Sequence, residues 1–432
     1  MCNYSILEDK IKYFELDFIK KISYGLNKVN THFLSDMVNG FIKSNSVNLS
    51  DHARVNYTNP NIKKYVERIE RHLDSYNKIE NVVNSNYINL VKPYINPKKL
   101  YFVDGSDIVK NDNTKFENKG YVCDGSDSHK VKQGYIIKEI DTIDNANQPI
   151  SLYSELISRN SVVEESDNLM WLNCIKNVSD TYGNGTFICD RGYDSGLMMG
   201  KVIELGNDFI IRANKLNRLV TFKNNKYKVR ELAKKTKGYY NYHTNIKGTA
   251  YDLKVTAKEI NINEKFTNKS IYAVFIKGFA IDETNLNEAY MVLYTSRKLL
   301  DKTDVLNVVK DYATRWKIEE NFKYKKQQFK LEKIMVRRYK RIVHLYNLLS
   351  KILFLNNIIN LSSYGKTVRK LVPQIREKIN YWLYRISDGL IEIIKITGKK
   401  IIELLYPKSR QRTSNLFTKG NFNKFKMSYL IS

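Results

Sequence analysis

Cysteine is scarce: Cys2, Cys123, Cys174 and Cys189 are the four in 432 residues, and they lie far apart with no CxxC pair. This argues against a disulfide framework or a cysteine zinc site and fits a reduced, cytoplasmic protein. The six histidines form no HxxxH or HxH pair, so a histidine metal centre has no footing. Neither a P-loop nor a dinucleotide fingerprint occurs, and no nucleotide cofactor is expected. A long hydrophobic run is missing too. The most apolar window, Ile342 to Leu361, is interrupted by His344, Asn347, Lys351, Asn356, Asn357 and Asn360. A bilayer span needs about 20 apolar residues, so a buried helix is expected there and no membrane partner. Glu8, Asp9, Lys10 and Lys12 stand where a signal peptide needs an apolar stretch. Acidic residues are in deficit, with 45 Asp and Glu against 72 Lys and Arg, a formal charge of +27. A polyanion is the partner such a field selects.

The charge is uneven. From Asn321 to Ser432 there are 25 Lys and Arg against 5 Asp and Glu, so the C-terminal quarter holds +20 of the +27. A solvated basic face with no specific partner is the plainer reading of that run. Hydrophobic residues at 42% and charged residues at 27% fit a soluble globular chain of two to four folding units.

Residues 1 to about 97 read as helical. Residues 33–42 carry apolar side chains at helical spacing, a second helix begins at residues 49–55 with Ser50 as its cap, and Asn59-Pro60 introduces a third over 63–73. That third helix carries Lys63, Lys64, Arg68, Arg71 and His72, which suits either a helix-turn-helix-like DNA reader or a plain packing module. From residue 98 strands and helices alternate. Leu100-Tyr101-Phe102-Val103 runs into Asp104, and Thr186-Phe187-Ile188-Cys189 into Asp190. Residues 213 to about 288 are β-rich, with a hairpin turn at Asn224-Asn225, before a strand at 290–295 and one long helix from about Asp304 to Leu331. The pattern is that of an α/β fold.

Aspartates at strand ends can be held convergent by rigid elements, and their oxygens suit magnesium; they also serve as simple loop caps. The long helix adds to them. At about 100° per residue, Tyr312, Arg315, Glu319 and Lys326 fall within about 60° of one another, whereas Glu320 points elsewhere. One face thus offers an aromatic, two cations and a carboxylate. Arg315 can fork onto phosphate and Lys326 can act as a point charge. Just beyond, Arg337, Arg338, Lys340 and Arg341 form a basic run that either grips DNA or solubilises the helix. Asp124, Asp127 and His129 form a small polar cluster in a turn.

The row Tyr312, Arg315, Glu319, Lys326 resembles the Y-x2-R-x3-E-x6-K (YREK) signature of bacterial insertion-sequence DDE transposases, the insertion-sequence-four group. Asp190-Arg191-Gly192-Tyr193 resembles that group's second motif and Val103-Asp104-Gly105-Ser106 its first. The resemblance implies a ribonuclease-H-like core at 98–212 and 289–345, split by the β-rich insertion at 213–288. Around it would lie a helical DNA-binding domain at 1–97 and a basic helical region at 346–432. It implies a metal-binding catalytic triad of Asp104, Asp190 and Glu319 using Mg²⁺, with Mn²⁺ able to substitute. Tyr312, Arg315 and Lys326, with Arg191, Arg337 and Arg338, would contact DNA. Some relatives place a Trp before the YREK helix to hold a flipped base; here Met291 stands there, with Tyr290 beside it as an aromatic face. The implied partners are double-stranded transposon ends and target DNA, bound as a dimer, and the implied activity is cut-and-paste transposition. A ribonuclease-H-like nuclease without strand transfer, or a catalytically dead DNA-binding relative, are the alternatives.

Overall fold

A computed structural model describes residues 4–56, 61–110, 115–124, 130–160, 166–246, 249–262, 270–280 and 289–363. Five helices come first: α1 (Tyr4–Ile22), α2 (Lys28–Ser44), α3 (Leu49–Asn56), α4 (Ile62–Ser75) and α5 (Glu80–Val91). Asn27 and Asn61 cap α2 and α4 by accepting from the backbone N–H groups of Asn30 and Lys64. Ser50 lies inside α3, so it is not the cap expected of it; Asn59 and Pro60 lie outside the described residues. The one-turn spacing of Tyr65, Ile69 and Leu73 buries one side of α4. Not all of its basic side chains face outward. Arg68 pairs with Asp36 at 2.6 Å, and His72 stacks on Phe33 with ring centroids 4.9 Å apart. Lys63, Lys64 and Arg71 remain exposed.

The α/β region follows as β1 (Leu100–Val109), β2 (Gly120–Asp124), β3 (Lys130–Ile143), β4 (Pro149–Ile157), α6 (Asp167–Tyr182), β5 (Thr186–Cys189), α7 (Gly196–Glu204) and β6 (Asp208–Arg212). The β-rich stretch holds β7 (Leu219–Phe222), β8 (Asn225–Lys228), α8 (Val229–Lys235), β9 (Tyr240–Ile246), β10 (Thr249–Ile262) and β11 (Ile271–Ala280). Then come β12 (Ala289–Thr295), α9 (Lys302–Ala313), α10 (Trp316–Gln327), α11 (Tyr339–Ile352) and α12 (Phe354–Leu361). The hairpin turn sits one residue earlier than expected, because Lys223 and Asn224 are the pair with positive φ (48° and 65°).

The described strands form a 12-stranded mixed sheet in the order β2-β3-β1-β5-β6-β12-β11-β10-β7-β8, with β4 beside β3 and β9 beside β10. β1, β5 and β6 run parallel. The sheet accords with the α/β expectation and is consistent with a ribonuclease-H-like core. The β-rich stretch does not stand apart from it: β10 and β11 reach the core through β12, which pairs with β6.

Two further expectations are corrected. The single helix expected from 304 to 331 is two helices, with Thr314 and Arg315 between them. Thr314 Oγ1 donates back to the Lys310 carbonyl at 3.0 Å, and the Arg315 N–H bonds to Tyr312 O rather than to Asp311 O. Such back-bonding and tightening bend a helix. Secondly, Asp104 does not end its strand, since β1 runs on to Val109 against β3. As expected, the apolar window at 342–361 lies mostly inside the protein, as α11 and α12.

Candidate active site

The parallel ladder between β1 and β5 runs from Leu100–Thr186 to Val103–Cys189 and stops there. Asp104 and Asp190 are the next residue on each strand. β1 continues, paired only with β3, while β5 gives way to a tight turn over Arg191–Tyr193 that Asp190 caps by accepting from the Gly192 N–H at 2.7 Å. The two aspartates therefore flank the point where the sheet opens. Behind them Tyr193 is buried edge-on against Trp171, ring centroids 5.3 Å apart.

The junction between α9 and α10 brings the remaining groups to Asp104. Arg315 forks: Nη1 donates to Asp104 Oδ2 at 2.8 Å, and Nη2 donates to Glu319 Oε1 one helical turn on. Its side chain is 15% exposed, against 46% for Glu319. The other oxygen of Asp104 accepts from the Gly105 N–H at 2.9 Å. Burial pushes the Asp104 carboxyl up to about 6; Arg315 opposes this, whereas Asp190 and then Glu319 add to it by repulsion. Glu319 sits in the first turn of α10, where the helix dipole favours a carboxylate. The Tyr312 ring lies 6.0 Å from the Arg315 guanidinium carbon, and its hydroxyl pKa is raised by burial, with Arg315 and Arg212 opposing. Tyr312, Arg315 and Glu319 thus cluster despite the helix break.

Lys326 lies further along. Its ammonium is 3.7 Å from Asp107 on β1 and 3.4 Å from Glu332. Arg191 and Arg337 are exposed. Two members of the basic run pair with acids of α4: Arg338 reaches Asp74 at 3.3 Å, and Arg341 pairs with both Asp74 and Glu70 at 2.7 Å. These arginines dock α11 against the N-terminal helices. Tyr290 is on β12 opposite Lys277, but its side chain is not among those described. Of the polar cluster, Asp127 and His129 lie outside the described residues. Glu320 turns away from Arg315 to Lys317, 3.4 Å off, and burial carries its carboxyl to about 7.

Several residues escaped the sequence reading. Lys325, beside Lys326, is 1% exposed and donates to Glu139 on β3, itself 0% exposed. Asn321, one turn earlier, donates to Asp141 at 2.7 Å. Asp194 is fully buried against Arg218 and accepts from the backbone N–H groups of Asn214 and Lys215 at 2.7 and 2.8 Å, fixing the chain where it leaves β6. One signal was available: Glu139 and Asp141 stand two apart on either side of Ile140 in a strand that also carries Ile136, Ile137 and Ile143, so both face one side.

Among the described residues no three carboxylate, histidine or cysteine side chains stand close enough to share an ion; Arg315 bridges two of the three candidates. The donor set still suits a hard divalent cation, because all three are carboxylates, and the repulsion of Asp190 and Glu319 on Asp104 is what a bound cation would relieve.

Residues 162–355 match the protein family described as Transposase DDE domain. The matched stretch takes in Asp190, Glu319 and the α9–α10 junction, and supports a DDE transposase. No curated protein matches the chain.

Proposed function

We propose that this chain is a DNA transposase of the insertion-sequence-four group that binds transposon ends and carries out cleavage and strand transfer by a cut-and-paste route. The observation that carries this reading is the convergence of Asp104 and Glu319 on Arg315, beside Asp190, where the parallel ladder ends. The family match over 162–355 supports it.

Asp104, Asp190 and Glu319 would hold Mg²⁺, or Mn²⁺ in its place. When bound by these carboxylates, such an ion would supply the Lewis acidity that lowers the pKa of an attacking water or 3′ hydroxyl and offsets charge on the leaving oxygen. The other groups act on the DNA. Arg315 exchanges its carboxylate partners for phosphate oxygens, a geometry its planar fork suits, and Lys326 adds a point charge one step along β1. Tyr312 packs against the guanidinium and limits its swing. Arg191, Arg337 and the aromatic face of Tyr290 extend the DNA contacts, and two protomers act together on paired ends.

The test is incubation of the protein with its own flanking DNA ends and Mg²⁺, with products resolved as nicked, hairpin and joined strands. Asp104→Ala, Asp190→Ala and Glu319→Ala are each expected to reduce cleavage by about 10³-fold or more, while gel-shift affinity for the ends stays within a few-fold. Full activity in any one of them, or cleavage by the native protein in excess chelator, defeats the triad. Cleavage without joined products would instead favour the nuclease, and end binding without cleavage the dead relative.

A further inference from the structure

Behind α10, on the side away from Glu319, charged groups lie where solvent does not reach. Lys325 is 1% exposed and Glu139 0%, and the two are joined by a hydrogen bond. Ser350 on α11 accepts from Lys325 at 2.9 Å, and Lys325 lies over the Tyr346 ring at 5.2 Å. Asn321 binds Asp141, which is also fully buried. Buried charge is costly and adds little net stability over an apolar replacement of the same shape; its usual return is a fixed arrangement.

The spacing here matches helix to strand. Asn321 and Lys325 are four apart on a helix, about 6 Å of rise, and Asp141 and Glu139 are two apart on a strand, about 6.8 Å. Two ties of matching span fix both the rotation and the slide of α10 over β3. The strand they grip is the one paired with β1, and Glu139 is the direct cross-strand partner of Asp104. The same helix presents Glu319 to Asp104 through Arg315, and Lys326 to Asp107.

We propose that Lys325 and Asn321, with Glu139 and Asp141, are positioning residues that set where Glu319 stands relative to Asp104. They touch no substrate and act only through α10. This rests on the transposase reading for its functional consequence, though not for its geometry. Slack in the clamp moves Glu319 together with Arg315 and Lys326 and leaves the DNA-binding surfaces outside α10 in place.

Two variants separate positioning from plain stability. Lys325→Met strands the buried Glu139 carboxylate and is expected to lower the melting temperature. Adding Glu139→Gln removes the uncompensated charge and is expected to restore most of that loss. If the pair only stabilises, cleavage of end DNA recovers with the melting temperature. If it positions, the double variant still cleaves at least about tenfold more slowly in single turnover, with affinity for the ends within about threefold. Recovery of cleavage overturns the proposal.

A second measurement does not depend on cleavage. Asp104→Cys and Glu319→Cys, with Cys2→Ser and Cys123→Ser, are bridged by a short bis-maleimide, with and without the clamp double variant. The bridging rate should fall by at least about fivefold once the clamp is lost. An equal rate, or no bridging in either background, overturns the proposal. If the native protein cuts no end DNA while bridging does depend on the clamp, the transposase reading fails and the positioning role stands.

Discussion

Gly40 on α2 faces the ring of His52 on α3, and a Cβ there would sit 2.4 Å from Nδ1. The ring cannot yield, since it is fully buried, sits edge-on to Phe41 at 4.8 Å and, with Nε2 carrying the proton, donates to the Ser46 carbonyl at 2.7 Å. Gly40→Ala is therefore expected to destabilise the protein by about 1–3 kcal/mol, read as a lower urea midpoint; an unchanged midpoint would mean α2 and α3 can part at little cost. His52 also makes stability depend on pH. Burial drives its pKa down from 6.5 to about 4. The unfolded chain takes up this proton more readily than the folded one, so the contribution is complete above the unfolded value near 6.5 and fades as pH falls through the folded value. The loss amounts to at most about 3 kcal/mol. His52→Gln keeps a donor for Ser46 but cannot titrate in this range. Its urea midpoint should fall less steeply than that of the native protein between pH 6.5 and 4.5, and coincident slopes would rule His52 out.

The break between α9 and α10 decides how the site titrates against cations. The break leaves Tyr312 on α9 and puts Arg315, Glu319 and Lys326 at or on α10, where Arg315 reaches Asp104 and Lys326 reaches Asp107. Arg315→Ala removes the cation that bridges Asp104 and Glu319. The DNA-free variant should therefore bind Mn²⁺ at least as tightly as the native protein in an electron paramagnetic resonance titration, yet lose end cleavage. Weaker Mn²⁺ binding would mean that Arg315 organises the carboxylates rather than competing for them. Arg315→Lys should recover only part of the cleavage, because an ammonium lacks the planar fork. The bend was not legible in the sequence because Thr314 leaves the helical periodicity intact, and its effect comes from a local bond to Lys310 O. Asp104 misled for a related reason. Gly105-Ser106 reads as a turn, and only pairing with the distant β3 carries the strand onward. Most strands and the N-terminal helices were legible, since apolar runs are local. The clamp was not, because Asp141 and Asn321 are 180 residues apart in the chain.

At the scale of the whole molecule the question is where the charge of +27 is felt. Internal ion pairs do not lessen that excess, but they fix where several cations stand: Arg68, Arg338 and Arg341 are tied to Asp36, Asp74 and Glu70, and Lys325 of α10 is tied to Glu139. These cations hold the N-terminal helices and α10 in place and contribute little to a surface field. Much of the excess belongs to residues beyond 363, which lie outside the described region and hold 15 of the 25 Lys and Arg found after residue 320. If those side chains meet phosphate, binding must release counterions, and the logarithm of the affinity falls with the logarithm of salt at about 0.9 per phosphate contacted. Affinity for end DNA should therefore drop steeply between 50 and 200 mM salt, roughly 10³-fold or more for six or more contacts. Truncation after residue 406 removes Lys408, Arg410, Arg412, Lys419, Lys424 and Lys426. The slope should become shallower by about 0.9 for each of these that touches the backbone, with cleavage at low salt retained because the carboxylates lie elsewhere. An unchanged slope would assign the contacts to Arg191, Arg337 and the exposed cations of α4 and leave the tail as a solvated bystander.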